Sequence, residues 1–479
     1  MTLLKRPWIW LVVSALLLGV QIGPWYYPYG DADRYLSVAR NLAENHRLTC
    51  LGSPHIFYPP GYAAIVSPLF LIRDRPFLEL AVLHWLLAVA FMLGVYVWAR
   101  RVVPEAAVWI AAVSVANNVF WIYHRRPASE LAFITVLVWA VNSVNWVMRA
   151  RTRRSVAAGT AVAAASLAML CLIRHAGIAA AGGCSAAMLA AAWRRALSWR
   201  RAVAASLLTV SAALLTVGVE MAWDRNTAQA AGGKTYFDYL DPPGSDPARE
   251  CGRYWRGLAS TISEIGRVTI PGMLKCYSRQ KEWLDINMLV YVPFFVLLAT
   301  GWARWVRRQT DAFAWTLLFY WMLLTIWSWS TGGRYWFPMV PGLVVCAWFA
   351  AERLKDRRLA LLKAVWLVHL SAAMAYWLAV DLPQTRELDR QWPAVDALAA
   401  RIPVDSGPIA ATESVRDARI MVALALDRPV RPEADKPDVR RLAEWIITTA
   451  DDPPLDGFVP QCRAGRYCLL HRCGGEELP

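Results

Sequence analysis

Two aspartates one residue apart open the stretch richest in chemistry, Gly30-Asp31-Ala32-Asp33-Arg34-Tyr35. Two such carboxylates can share a divalent metal, and an aspartate ahead of a helix can equally cap its free N–H groups. A second group is Phe57-Tyr58-Pro59-Pro60-Gly61-Tyr62, where the prolines fix an extended approach and then allow a helix to start. A third is Gly332-Gly333-Arg334-Tyr335-Trp336-Phe337-Pro338. An arginine flanked by glycines at a helix mouth can hold a phosphate, because its fork matches phosphate oxygens; alternatively it snorkels to lipid headgroups. Arg125, Arg126, Ser129 and Glu130, and then Arg174 and His175, add polar groups at two helix corners.

These residues need a scaffold, and the composition says which kind. Of 479 residues, 57% are hydrophobic and 18% charged, well below the ~25% charge of a soluble globular chain. Apolar runs such as Trp8 to Val20, Leu78 to Trp98 and Asn287 to Trp302 approach the ~20 residues a helix needs to cross a bilayer. Short arginine knots separate them. The net charge of +15 therefore orients a membrane protein rather than tracking nucleic acid, because the arginines sit at the ends of apolar runs and form no continuous stripe. Met1 to Val20 lacks the small-x-small cleavage site of a signal peptide and runs into Trp25, Tyr26 and Tyr27, so it is expected to stay as a first helix.

Six basic clusters fall on one side if the N-terminus is cytoplasmic and there are about eleven crossings. They are Lys5/Arg6, Arg100/Arg101, Arg149 to Arg154, Arg194 to Arg201, Arg304 to Arg308 and Lys355 to Arg358. The outer face then receives 25–76, 224–285, a turn at 330–334 and everything after about 381. Residues 1–380 form the membrane module. Residues 381–479 form a C-terminal outer domain, read as a small α/β unit from its mixed charge and short apolar stretches. Tyr62 to Ile72 is too short to span and is read as a half-helix in the outer leaflet. Tyr35, Val38, Ala39 and Leu42 recur at i, i+3, i+4 and i+7, which predicts an amphipathic helix lying along the membrane surface. Six cysteines (Cys50, Cys251, Cys276, Cys462, Cys468 and Cys473) fall on the outer side and are expected in disulfides. A zinc site that includes His471 is the alternative for the last three. The 26 tryptophans suit interfacial belts.

The order of these motifs carries a resemblance. An N-terminal helix, the acidic loop Asp31-x-x-Arg34-Tyr35-x-x-x-Ala39-Arg40, Tyr58-Pro59-Pro60-Gly61-Tyr62 and the late Gly333-Arg334-Tyr335-x-x-Pro338 together look like the GT-C glycosyltransferases that use lipid-linked sugars. The branch they most resemble is that of the bacterial relatives of protein O-mannosyltransferases and of the lipid A aminoarabinose transferase. The resemblance implies a mainly α, polytopic inner-membrane enzyme of bacteria that works at the periplasmic face. It implies a polyprenyl-phosphate-sugar donor and a glycan, lipid or protein acceptor, with inversion expected. It places the catalytic acid on Asp31, with Asp33 as a helper for acceptor or metal. Arg334, with Arg125, Arg174 and Tyr335, would hold the donor phosphate, and Arg34, Tyr35, Tyr58, Glu130 and His175 would line the substrates. Lys234, Tyr236 and Tyr239 of the second outer loop would shape the acceptor groove. The branch has a second acid where this chain has Ala32, and a lysine where it has Tyr58, which leaves the sugar and the acceptor open. A possible divalent metal would sit on Asp31 and Asp33. No nucleotide-binding glycine motif is present. The rival readings are a transporter or flippase, in which polar groups and broken helices would gather at the midplane, and a non-catalytic accessory protein of envelope assembly.

Overall fold

The computed structural model describes residues 8–25, 31–55, 58–231, 257–266, 288–326, 333–354, 357–432, 434, 436–452, 455 and 457–472. Several residues singled out above lie outside these: Lys5, Arg6, Tyr26, Tyr27, Gly30, Phe57, Lys234, Tyr236, Tyr239, Cys251, Cys276, Gly332, Lys355 and Cys473.

The chain is a helical bundle with a small sheet domain at its C-terminal end. In order come α1 (Ile9–Gly19), α2 (Ala32–Asn45), a short antiparallel hairpin of β1 (Thr49–Cys50) and β2 (Ser53–Pro54), α3 (Gly61–Phe70) and α4 (Phe77–Val102). Next are α5 (Ala107–Ala116), α6 (Asn118–Tyr123), α7 (Glu130–Arg149), α8 (Arg153–Ile173), α9 (Gly177–Trp193) and α10 (Trp199–Ala231). A helical segment, α11 (257–266), precedes α12 (Met288–Arg308), α13 (Ala312–Ile326), α14 (Gly333–Trp336), α15 (Val340–Ala350) and α16 (Arg357–Tyr376). Among the described residues seven helices are long and apolar enough to cross a membrane, and five more are apolar but shorter, so this is a multi-pass membrane protein. One of the five is α3, the short helix expected after Pro59 and Pro60. Glycine is required at its first residue, because a methyl at Gly61 would strike the backbone of Leu172 at the end of α8.

Several of the basic clusters stand at helix ends. Arg100 and Arg101 end α4, Arg149 ends α7, Arg194 follows α9, and Arg307 and Arg308 end α12. That end of the bundle is tied by Asp311, which accepts from Trp98 Nε1, Asn145 Nδ2 and the Phe313 backbone N–H. Helices α12 and α15 approach so closely that a methyl at Gly301 would run into the carbonyl of Cys346. Alanine normally favours a helix over glycine by about 1 kcal/mol, but two rigid backbones cannot yield here. Gly301→Ala is therefore expected to destabilise the protein by about 2 kcal/mol or more, read as a lowered unfolding temperature in detergent. An unchanged or raised temperature would show that the two helices can separate freely.

The chain leaves the bundle through α16, a π turn at Trp377–Asp381, α17 (Leu382–Asp389) and α18 (Trp392–Ala399). The C-terminal unit is α/β, as its composition indicated. Its strands are β3 (Ile409–Ala411), β4 (Val430–Arg431), β5 (Trp445–Thr449), β6 (Phe458–Ala464) and β7 (Tyr467–Arg472), in the order β4-β3-β5-β7-β6. β4, β3 and β5 run parallel, whereas β7 and β6 are antiparallel. Helix α19 (Arg416–Leu426) crosses over from β3 to β4, and α20 (Pro437–Leu442) leads into β5.

Two expectations need correction. Helix α2 does not lie with one polar face in water: Tyr35, Val38 and Ala39 are buried as expected, but so are Asp33, Leu36, Ser37 and Asn41. Periodicity missed this because the second face is covered by the C-terminal domain through polar contacts. The disulfide expectation also fails for the described residues, where Cys50, Cys462 and Cys468 carry free thiols. Cys462 pairs with Leu469 and Cys468 with Arg463, so the two thiols project from opposite faces of the sheet. Burial pushes the Cys50 thiol up to about 12.

Candidate active site

Asp31 stands at the N-terminus of α2 without capping it: its side chain bonds none of the helix N–H groups. The carboxylate is turned to other partners. Tyr58 donates its hydroxyl to Oδ1 at 2.7 Å, and the Arg334 guanidinium lies 3.8 Å from Oδ2. The Asp31 side chain is 30% exposed, which leaves it reachable. Arg34, one turn along α2, donates to the same Tyr58 oxygen at 3.2 Å. His55 holds the Tyr58 carbonyl at 2.6 Å, and burial lowers that imidazole to about 4, so it is neutral and its N–H donates. Burial first, and the Asp31 charge second, push the Tyr58 phenol well above the ordinary range; it stays protonated as a donor.

A second layer lies behind the first. Glu130, at the first residue of α7, pairs with Arg174 at 2.8 Å, and both are largely buried. Arg174 also reaches the Ser129 hydroxyl at 3.4 Å, and that hydroxyl meets the Tyr35 hydroxyl at 3.1 Å. The guanidiniums of Arg174 and Arg334 both stand over the Tyr335 ring, at 5.4 and 4.9 Å, and Arg334 donates to its hydroxyl at 3.0 Å. The Tyr35 ring lies between those of Tyr58 and Tyr62, with centroids 5.2 and 5.1 Å away. Five short segments thus converge: the start of α2, the approach to α3, the 129–130 corner, the 174 corner and α14. Arg34, Arg174 and Arg334 outnumber the carboxylates of Asp31 and Glu130. The local surplus is positive, and Asp31 is the exposed anion at its edge. Such a group can accept a proton at Asp31 and hold a phosphate beside it.

Three predicted site residues are held elsewhere. Arg125 forms a buried ion pair with Asp381 of the π turn, with 11% and 2% of the two side chains exposed. His175 meets Glu220 of α10 at 3.1 Å. Asp33 is buried beneath the C-terminal domain, with Arg419 of α19 among the cations acting on it. Nor do Asp31 and Asp33 fit a divalent ion. Both oxygens of Asp31 face Tyr58 and Arg334, and among the described residues no three metal-type side chains gather.

Burial raises the Asp33 carboxyl above its usual range in spite of Arg34 and Arg419. A carboxyl raised by folding adds stability below its unfolded pKa and loses it as pH rises through the folded one. Asp33→Asn is accordingly expected to raise the unfolding temperature at pH 8 and to raise it less at pH 4. Unfolding temperatures across that pH range provide the check. An equal rise at both pH values would show that folding leaves the Asp33 carboxyl in its usual range.

Sequence reasoning missed His55 as a member of this group, and named Ser129 and Tyr62 without giving either a role. Tyr62 is fully buried, its hydroxyl 2.9 Å from His84 Nε2. Only the second tyrosine of the Tyr58-Pro59-Pro60-Gly61-Tyr62 run marked it in advance.

The sequence matches no protein-family model and no curated protein. Solved structures do match. ArnT from Cupriavidus metallidurans bound to undecaprenyl phosphate shares 12% identity over 96% of this chain and 97% of its own, with a TM-score of 0.59. The apo form of the same protein gives 13% identity over the same shares, with a TM-score of 0.58. An oligosaccharyltransferase from Archaeoglobus fulgidus, solved with zinc and sulfate, gives 14% identity over 92% of this chain and 68% of its own, with a TM-score of 0.52. The chain therefore has the GT-C fold that its motif order resembled.

Proposed function

We propose that this protein is a membrane glycosyltransferase that moves a sugar from a polyprenyl-phosphate donor to an acceptor of the cell envelope. The observation that carries the proposal is the exposed Asp31 carboxylate, set between Tyr58 and Arg334 at the edge of an arginine-rich cluster. Asp31 takes a proton from the acceptor's hydroxyl or amine as that atom attacks the anomeric carbon. The bond from that carbon to the phosphate oxygen breaks, and the polyprenyl phosphate leaves as a monoester. One displacement inverts the anomeric centre. Arg334 and Arg174, stacked on Tyr335, stabilise the negative charge that grows on the departing phosphate. Arg34 and Tyr58 hold Asp31 in place, while Tyr35 and Glu130 fix Arg174 from behind. Arg125, His175 and Asp33 have no part in this step.

The lipid half of the donor also has a place to go. An apolar cavity of about 220 Å³ opens between α12, α13 and α15, lined by Phe295, Trp302, Leu317, Trp321, Trp336 and Leu343. Trp336 follows Arg334 and Tyr335 directly, so the cavity begins where the phosphate grip ends. This continuity supports a substrate whose head is anionic and whose tail stays in hydrocarbon. By the charge rule the arginine-rich helix ends lie in the cytoplasm, and the site faces the periplasm of a bacterial inner membrane. The transporter reading loses ground, since the polar groups gather at one end of the bundle rather than at its midplane.

The test is native mass spectrometry of the protein in mild detergent with undecaprenyl phosphate added, followed by synthetic polyprenyl-phosphate sugars. A one-to-one adduct that competes with the charged donor is the expected result. Absence of any adduct at micromolar lipid would overturn the proposal.

A further inference from the structure

We propose that Asp427, in the C-terminal domain, is a positioning residue for the active site. It would set the relative pose of the two segments that make the Tyr58–Asp31 hydrogen bond. The inference rests on the function proposed above for Asp31.

Asp427 ends α19 in the left-handed conformation, with φ at 50°. Glycine is the ordinary residue there, because an L side chain crowds the following carbonyl. The carboxylate has a use that offsets this strain. Oδ1 accepts from the Ser37 hydroxyl, and Oδ2 accepts from Asn41 Nδ2 at 2.8 Å. Ser37 is fully buried and Asn41 nearly so, and they lie one turn apart on α2. Arg40, between them, donates to the Leu424 carbonyl at 3.0 Å. The domain thus grips α2 through polar groups, which fix direction and register more sharply than an apolar face does.

The same two residues hold the hairpin. The Leu51 backbone N–H donates to Ser37 Oγ at 2.7 Å, and Asn41 Nδ2 also reaches the Thr49 carbonyl at 3.3 Å. The turn tip, Gly52, sits so close that a methyl there would come within 3.2 Å of the Asp427 carbonyl. Beyond β2, His55 donates its backbone N–H to the Leu48 carbonyl at 3.0 Å and holds the Tyr58 carbonyl with its ring. Two routes therefore leave Asp427. One runs up α2 to Asp31, about 9 Å from Ser37 at the helical rise. The other runs through the hairpin and His55 to Tyr58. They close on each other at the 2.7 Å bond between Tyr58 and Asp31. Loss of the carboxylate releases both routes together and leaves the phosphate grip of Arg174, Arg334 and Tyr335 untouched.

Asp427→Gly separates positioning from folding, because glycine suits the left-handed turn better and deletes only the carboxylate. Asp427→Asn tolerates the same backbone and keeps one acceptor. Both full-length variants are measured for transfer kinetics and for amide hydrogen exchange in detergent. The glycine variant is expected to keep the wild-type unfolding temperature and donor KM. Its kcat should fall at least tenfold, and exchange should quicken in α2 and in the 49–55 hairpin. The asparagine variant should recover most of the rate. Unchanged exchange in both segments overturns the inference whatever the activity, and so does a kcat within twofold of wild type. If the wild-type chain transfers no sugar from any polyprenyl-phosphate donor, the function proposed above fails, and the exchange result alone decides whether Asp427 holds the two segments.

Discussion

Asp31→Asn is expected to lower the rate of sugar transfer about a thousandfold while donor binding stays within twofold of wild type. General-base catalysis contributes about 10² to 10⁴ in rate, and the amide cannot take the acceptor's proton. The variant is close to isosteric. Tyr58 can still donate its hydroxyl to the amide oxygen, so α2 and the approach to α3 keep their relation. Initial rates at saturating donor, paired with the lipid adduct seen by native mass spectrometry, separate chemistry from binding. Activity within tenfold of wild type would remove Asp31 from the proton transfer and point to an acceptor that needs no base. An equal loss of adduct and rate would instead make Asp31 a binding residue.

The second large effect belongs to Arg334. It lies 3.8 Å from Asp31, stacks on Tyr335 at 4.9 Å and bonds its hydroxyl, so its fork is already oriented for a phosphate. Removing a charge-assisted hydrogen bond costs about 1.5–3 kcal/mol, or roughly one to two decades in affinity. The same group stabilises charge that grows in the transition state, worth about another 10² in kcat. Arg334→Ala is expected to show both losses, in undecaprenyl phosphate binding and in turnover. Arg334→Lys should regain part of the binding but little of the rate, since an ammonium is a point charge without the planar fork or the stacking surface. Donor affinity within threefold of wild type in the alanine variant would move the phosphate to Arg174 alone. Glu130 makes that alternative the weaker one, because it already accepts from Arg174 at 2.8 Å.

The contrast between Asp31 and Asp33 shows what the chain could tell before it was folded. Spacing made them equals, one residue apart at the head of the same helix. One residue of offset turns a side chain by about 100° for each step, so a two-residue separation sends them to nearly opposite faces. Asp31 meets Tyr58 and Arg334, whereas Asp33 meets the underside of the C-terminal domain. Motif order singled out Asp31, Arg34, Tyr35, Tyr58, Arg334 and Tyr335, and the helix corners Glu130 and Arg174, and the fold brings these eight together. Arg125 looked the same in the sequence. Its partner Asp381 lies 256 residues away, and no local signal forecasts such a pairing. The apolar periods laid out the bundle well. They said least about α2, whose second face is buried by hydrogen bonds that leave no hydrophobic trace.

The grip of Asp427 on Ser37 and Asn41 joins residues almost 390 positions apart, near the two ends of the chain. A membrane chain is made and inserted from its N-terminus, so α2 and its loop emerge long before the strands that will hold them. Between the emergence of Arg334 and that of Asp427, the chain has its phosphate-binding arginines and a base-bearing helix that nothing yet secures. On the function proposed above, full turnover would then wait until the C-terminal domain has folded onto α2.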